Sequence, residues 1–291
     1  MGKLTGITCS SGSLNQMRMV RSMREVEDAV NQARNGAKEY CTNFFPNASK
    51  LEGWVGHGEM FCDEHEGTIF FLRRDSNFWH LFYCAASQPA LQQNLASLPL
   101  LATDPVVMDV VGKKAELAGL TSLLKRSGFR HYQSLFRMTR LTAAAIPPTK
   151  MTPNTEIAIA GQRDCQPIHD LLVRTFDSRA EQIPPLYEIE AAVAAARIRV
   201  IRNAEKLAGL LFFETQGVSS LLRYWLVDPG FRAQGVGSAL MRCYLAEQPS
   251  VRRFLLWVVA SNSEAIKKYE HYGFNPDGLV DYVMANDKIR P

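Results

Sequence analysis

The sequence contains no Cys-x-x-Cys pair. Its six cysteines, Cys9, Cys41, Cys62, Cys84, Cys165 and Cys243, are scattered, and none stands at metal-ligand spacing from a histidine. This excludes the common zinc frameworks and reads as reduced, buried thiols. No run of lysine or arginine marks a nucleic-acid footprint, and 33 basic against 29 acidic residues leave a formal charge of +4. No stretch reaches the roughly 20 apolar residues of a membrane span, and the N-terminus lacks the charged-then-apolar pattern of a signal peptide. The expectation is a cytoplasmic protein with no nucleic acid, membrane or metal as partner.

What is present is ordinary globular composition, 46% hydrophobic and 21% charged, over 291 residues, a length comfortable for two domains. Residues 1–16, rich in Gly, Ser and Thr, read as a disordered N-terminus. Val26, Ala29, Val30, Ala33, Ala37 and Tyr40 recur at helical spacing. Strands are expected at 67–73 and 78–85 around the turn Asp75-Ser76-Asn77, then a helix at 88–98 and a strand at 106–111. A helix at 114–126 ends at Ser127-Gly128, and a strand follows at 129–141. Residues 142–153, with three prolines and no periodicity, read as a linker. The second half, 154–291, has the order β-α-α-β-β-β-α-β-α-β, its strands at 156–160, 197–202, 207–214, 219–227, 254–259 and 279–286 and its helices at 163–176, 186–196, 234–246 and 263–272. The stretches around Gly128-Phe129 and Gly273-Phe274 repeat a helix, a Gly-Phe pair and a strand, which suggests tandem copies, the first over 17–141.

The informative segment runs from Tyr224 to Leu240. A strand ends at Val227, Pro229-Gly230 turns the chain, and a glycine-bearing stretch opens a helix. Glycine lets backbone approach a ligand closely. The first N–H groups of a helix have no intrahelical partner and carry the positive end of the dipole, so this is a cradle for pyrophosphate. Arg232 can add a charge and Ser238 a hydroxyl. The plain alternative is a tight turn with incidental glycines. A P-loop is excluded by the missing Gly-Lys-Ser/Thr. A dinucleotide fingerprint is excluded by Leu240 in place of a small residue and by the apolar Trp257-Val258-Val259 where an acid is needed.

The segment resembles the acetyl-CoA loop of the GNAT (Gcn5-related N-acetyltransferase) superfamily, Arg/Gln-x-x-Gly-x-Gly/Ala after a strand ending Val-x-Pro, with Arg232, Gly235, Gly237, Val227 and Pro229 in those places. A second block, Asn262 to Phe274, resembles the family's Asn-x-x-Ala-x-x-x-Tyr-x-x-x-Gly-Phe helix. The resemblance covers about 155–286. It implies an α/β (α+β) fold of two GNAT-like domains, each a mixed, mostly antiparallel sheet flanked by helices. It also implies acetyl-CoA or another acyl-CoA as co-substrate, and direct transfer to a small-molecule or peptide amine in a ternary complex. The backbone of Trp225, Leu226 and Val227 would pair with the pantetheine arm. Arg232, Ala233, Gln234, Gly235, Val236, Gly237 and Ser238 would hold the pyrophosphate. Asn262 would bond the pantetheine or simply cap its helix. Tyr269 would give a proton to the departing thiolate, which is reasonable because a phenol near roughly pKa 10 stays protonated where a thiol near roughly 8.5 leaves.

The strand 219–227 has no carboxylate, so Glu214 on the preceding strand is the nearest candidate for the base, followed by Asp228, His169 and His271. Without a carboxylate on that strand, an α-amino or other weakly basic acceptor is expected over a lysine-like amine, and Arg223 could meet an acceptor carboxylate. The first copy has Ala86-Ser87-Gln88-Pro89 in place of the glycine loop and Leu124 in place of the tyrosine. It reads as a degenerate copy serving as scaffold and as a wall of the acceptor cleft. The rivals are a non-catalytic acyl-CoA sensor, a tandem synthase for a specialised small amine, and a protein N-acetyltransferase.

Overall fold

The computed structural model describes residues 17–142, 156–204 and 206–289. The expected disordered N-terminus and nearly all of the expected linker lie outside them. Compactness divides the chain into Met1–Ala102 and Thr103–Pro291.

The first unit contains β1 (Arg18–Met19), α1 (Met23–Arg34), β2 (Cys41–Thr42), α2 (Ala48–Gly56), β3 (Met60–His65), β4 (Thr68–Arg74), β5 (Trp79–Ala85) and α3 (Gln88–Leu95), and a one-turn helix α4 (Leu100–Thr103) lies at the division. Its sheet runs β1-β3-β4-β5 with β2 on β5, all antiparallel. Helix α1 starts where the Ser22 side chain accepts from the Glu25 amide, and it buries Val26, Ala29 and Ala33. Gly36, at φ +76, turns the chain just beyond its end. Ala37 and Tyr40, part of the same periodic pattern, therefore fall outside the helix. Helix α2 and strand β3 were not legible in the sequence.

The second unit contains β6 (Val106–Lys113), α5 (Ala118–Arg126), β7 (Phe129–Leu141), β8 (Ile157–Ile159), α6 (Cys165–Thr175), α7 (Ser178–Glu181), α8 (Leu186–Ala194), β9 (Ile198–Asn203), β10 (Lys206–Gln216), β11 (Ser219–Val227), α9 (Val236–Ala246), β12 (Arg253–Val259), α10 (Ser263–His271) and β13 (Asn275–Asn286). Its strands lie in the order β6-β13-β7-β12-β11-β10-β9-β8. The tandem copies are thus not separated by their order in the sequence. The last strand of the first copy, β7, pairs with β12 of the second, and the last strand of the second, β13, fits between β6 and β7.

Two layers of helix cover this sheet. On one face, Ile168, Leu171, Leu172, Ile189 and Val193 of α6 and α8 bury against Leu210, Phe212, Tyr224 and Leu226. On the other, Leu240, Met241, Tyr244 and Leu245 of α9 bury against Leu211, Phe213, Leu222, Phe254 and Leu256. Each such side chain, fully buried, contributes about 1.5–3 kcal/mol. Tyr244 is fully buried, and its hydroxyl is 3.0 Å from Ser220 Oγ.

Candidate active site

Residues Leu222 and Tyr224 have the same parity on β11, yet they face opposite layers. The cause is a bulge. Phe213 pairs with Leu222 and Phe212 with Tyr224, leaving Arg223 as an extra residue. The parallel pairing of β11 with β12 spans Ser219–Leu222 against Arg253–Leu256 and ends there. Beyond it, β12 continues on β7 through Val259, while β11 continues on β10 through Val227. The facing edges of 223–227 and 257–259 are therefore open to each other, a slot bordered by backbone N–H and C=O groups. Trp225, Leu226 and Val227 form one edge of it.

Past Val227 the Asp228 carboxylate accepts from the Gly230 amide at 2.9 Å and holds a single 3-10 turn, Pro229–Phe231. Ala233 (φ +61) and Gly235 (φ +79) are both left-handed and bracket Gln234, the kind of alternation that turns successive N–H groups into a concave nest. Gly235 is the N-cap of α9 and offers no side-chain cap, so the first N–H groups of that helix keep their capacity for an anion. Gly237 is needed for a different reason. A Cβ there would stand 3.2 Å from Val227 Cγ2 and 3.3 Å from Trp225 Cζ2, and the Trp225 indole donates to the Gly237 carbonyl at 3.0 Å. These contacts dock the helix start against the open edge of β11. Arg232 is exposed, and Glu264 lies within range of its charge.

The corresponding turn of the first copy differs. Ser87 Oγ accepts from the Ala90 amide at 3.3 Å, and Pro89 removes another donor. The start of α3 is already capped, and none of the turn residues 85–88 is left-handed.

Asn262 caps α10, its side chain accepting from the Ala265 amide at 3.0 Å. Tyr269 is half-buried on that helix, its ring centroid 5.5 Å from Trp225 and 6.0 Å from Phe274. Burial first, and the Glu181 carboxylate second, push its phenol above the usual range.

Arg223 does not present itself to an acceptor carboxylate. Its side chain is 10% exposed and pairs with Glu214 Oε1 at 2.6 Å. Its guanidinium lies 5.6 Å and 5.4 Å from the ring centroids of Phe212 and Tyr224. Glu214 thus already holds a buried cation. Asp228 caps its turn, and His271 packs edge-on against Tyr272. A shallow surface cavity of about 870 Å³ beside Pro229–Phe231 has His169, Arg174, Lys206 and Asp228 among its lining residues.

The residue that sequence reasoning missed is Glu181. Helix α7 belongs to an irregular connection with no periodicity, and nothing in the sequence shows its burial. Desolvation pushes the Glu181 carboxyl up to about 7, with the neighbouring Asp177 adding to the shift and a hydrogen bond from its amide opposing it. Its charge is felt by both Tyr269 and Tyr224.

Comparison with known proteins agrees with this geometry. Residues 193–276 match the family model of the acetyltransferase (GNAT) domain. No curated protein matches the chain. A GCN5-related N-acetyltransferase from Sphaerobacter thermophilus is 13% identical, with a TM-score of 0.57 over 95% of this chain and 96% of that one. A tandem GNAT protein from the clavulanic acid biosynthesis pathway is 12% identical, with a TM-score of 0.58 over 95% and 99%. A GCN5-related N-acetyltransferase from Kribbella flavida is 13% identical, with a TM-score of 0.56 over 89% and 95%. The chain has the tandem GNAT fold of these proteins, and the match to the GNAT domain model lies within its second half.

Proposed function

We infer that this GNAT-domain chain transfers an acetyl or related acyl group from acyl-CoA to an amine, by direct attack in a ternary complex. The observation that carries the reading is the slot between β11 and β12, opening beside an uncapped helix start with two left-handed residues. Those features fit acyl-CoA. The Arg232–Ser238 stretch would hold the pyrophosphate, and the open edge of Trp225–Val227 would take the pantetheine amides as an added strand. Asn262 is spent on its cap. Bound acyl-CoA supplies an activated thioester carbonyl.

The remaining roles fall to this chain's own groups. Tyr269, its phenol held protonated, donates to the sulfur as the carbon–sulfur bond breaks. Trp225 and Phe274 fix the ring that carries this hydroxyl. The start of the first copy's helix α3 is capped, so that copy is proposed to hold no acyl-CoA.

The test measures acetyl-CoA consumption against a panel of primary amines and peptides. Tyr269→Phe should lower kcat by about a hundredfold or more while acetyl-CoA affinity stays within about twofold. Tight acetyl-CoA binding with no turnover on any amine would favour a sensor. Turnover on peptides alone would favour a protein acetyltransferase.

A further inference from the structure

The connection between α6 and α8 crosses the slot. At one end, Tyr132 of β7 donates to Asp177 Oδ2 at 2.7 Å. At the other, the Tyr224 hydroxyl of β11 lies 2.9 Å from the carbonyls of both Glu181 and Gln182. Arg223 reaches the Gln182 carbonyl at 3.4 Å, and the Gln182 amide bonds Asp109 of β6. Since β12 lies between β7 and β11, a segment anchored on both passes over the opening. Gln182 is left-handed at φ 43, a conformation that costs a non-glycine residue about 1–2 kcal/mol and persists only where contacts hold it. The segment is therefore fixed, and Glu181 is fixed with it.

Glu181 has a local role, because its Oε2 accepts from the Asp177 amide at 3.1 Å. That role uses one oxygen and needs no charge. It does not account for a carboxyl within electrostatic reach of Tyr269, which belongs to α10 on the opposite layer of the sheet. Tyr269 and the segment that carries Glu181 thus belong to the two layers on opposite faces of the sheet.

We propose that Glu181 is the general base that takes the proton from the acceptor ammonium. The inference rests on the acyl-transfer reading above. The ammonium gives one proton to the Glu181 carboxylate and becomes a neutral amine. Its nitrogen lone pair forms a bond to the thioester carbon. As the carbon–sulfur bond breaks, the electron pair goes to sulfur, which takes the Tyr269 proton. The second proton of the attacking nitrogen balances the one Tyr269 gave, and Glu181 returns its own to solvent. Asp177 on its own segment acts on Glu181 directly, Tyr269 of α10 and Tyr224 of β11 feel its charge, and Tyr132 of β7 and Arg179 act on Asp177. Arg223 and Glu188 act behind Tyr224. Burial holds the carboxyl near neutrality, where a base is most effective.

The experiment uses the full chain and three probes, hydroxylamine, glycinamide and n-butylamine, in order of rising basicity. Glu181→Gln keeps an acceptor for the Asp177 amide and loses only the ionisation. It should reduce kcat/KM by about 10²–10⁴-fold with n-butylamine and far less with hydroxylamine, which is already neutral. It should abolish the wild-type acid limb near pH 7 and leave acetyl-CoA affinity unchanged by calorimetry. Glu181→Asp should restore part of the limb. An equal loss across the three amines, or a limb that survives in Glu181→Gln, would overturn the proposal. Failure of the wild-type chain to bind acetyl-CoA would instead overturn the acyl-transfer reading on which it rests. Binding without transfer to the three probes or to any amine or peptide of the panel would overturn both.

Discussion

Replacing Glu214 by glutamine separates two roles that the sequence could not distinguish. The Glu214 and Arg223 side chains are 16% and 10% exposed, and their charged atoms are 2.6 Å apart. Removing one partner of a buried pair costs about 3–5 kcal/mol because the other charge is left uncompensated. Glutamine still offers an oxygen to the guanidinium, which keeps a hydrogen bond and lowers the expected cost to about 2–4 kcal/mol. For a unit of this size each kcal/mol lowers Tm by about 2–4 °C, so thermal unfolding should fall by roughly 5–15 °C. Arg223 is the bulge residue where β11 leaves β12, so loosening it should also raise KM for acetyl-CoA. The assay pairs a thermal melt with kcat and its pH profile on the same preparation. An unchanged melt, with kcat lost and the acid limb gone, would refute the structural assignment and return Glu214 to the role of base.

Two further outcomes follow from the same packing. Glu181 in the folded chain binds its proton up to about 7 against an ordinary 4.5, so the folded state holds the proton that the unfolded chain has lost. Stability is therefore full below about pH 4.5 and falls as pH rises to about 7, by at most about 3 kcal/mol. Glu181→Gln should be more stable than wild type at pH 8 and equal to it near pH 4, as read by denaturant melts. Gly237→Ala puts a methyl within 3.2–3.3 Å of Val227 and Trp225. It should cost about 1–3 kcal/mol and weaken acetyl-CoA binding, whereas an unchanged melt would mean that the loop yields freely.

The motif-bearing segments were legible because local chemistry and fold agree there. The strand at 219–227 and the helix stop at Gly273 follow from patterning and from glycine, and the left-handed Gly235 follows from the glycine signature. The exchange of β7 and β13 was not legible. Both strands carry the alternation of a half-buried strand, and nothing in alternation names a partner. The bulge at Arg223 was hidden because the burial pattern of β11 stays regular through it, one residue out, one in, while the layer it faces changes. Glu181 was hidden because its burial comes from residues distant in sequence. The expectation of a weakly basic acceptor rested on β11 having no carboxylate. That is still true of the strand, and if Glu181 acts as the proposed base the reason to prefer one class of amine is removed.

The turn from Arg232 to Ser238 is proposed to hold the pyrophosphate of acyl-CoA, and calorimetric titration of acetyl-CoA into wild type and Gly235→Asp checks this. The aspartate adds a side chain at φ +79 and a like charge beside the phosphates. Strain of about 1 kcal/mol and a repulsion of about 1–3 kcal/mol at an effective dielectric between protein surface and water predict at least a thirtyfold weaker Kd, roughly. Wild type should bind one acetyl-CoA per chain, and the folded variant should bind it at least that much more weakly. Equal affinity in a variant whose melt matches wild type would contradict the account.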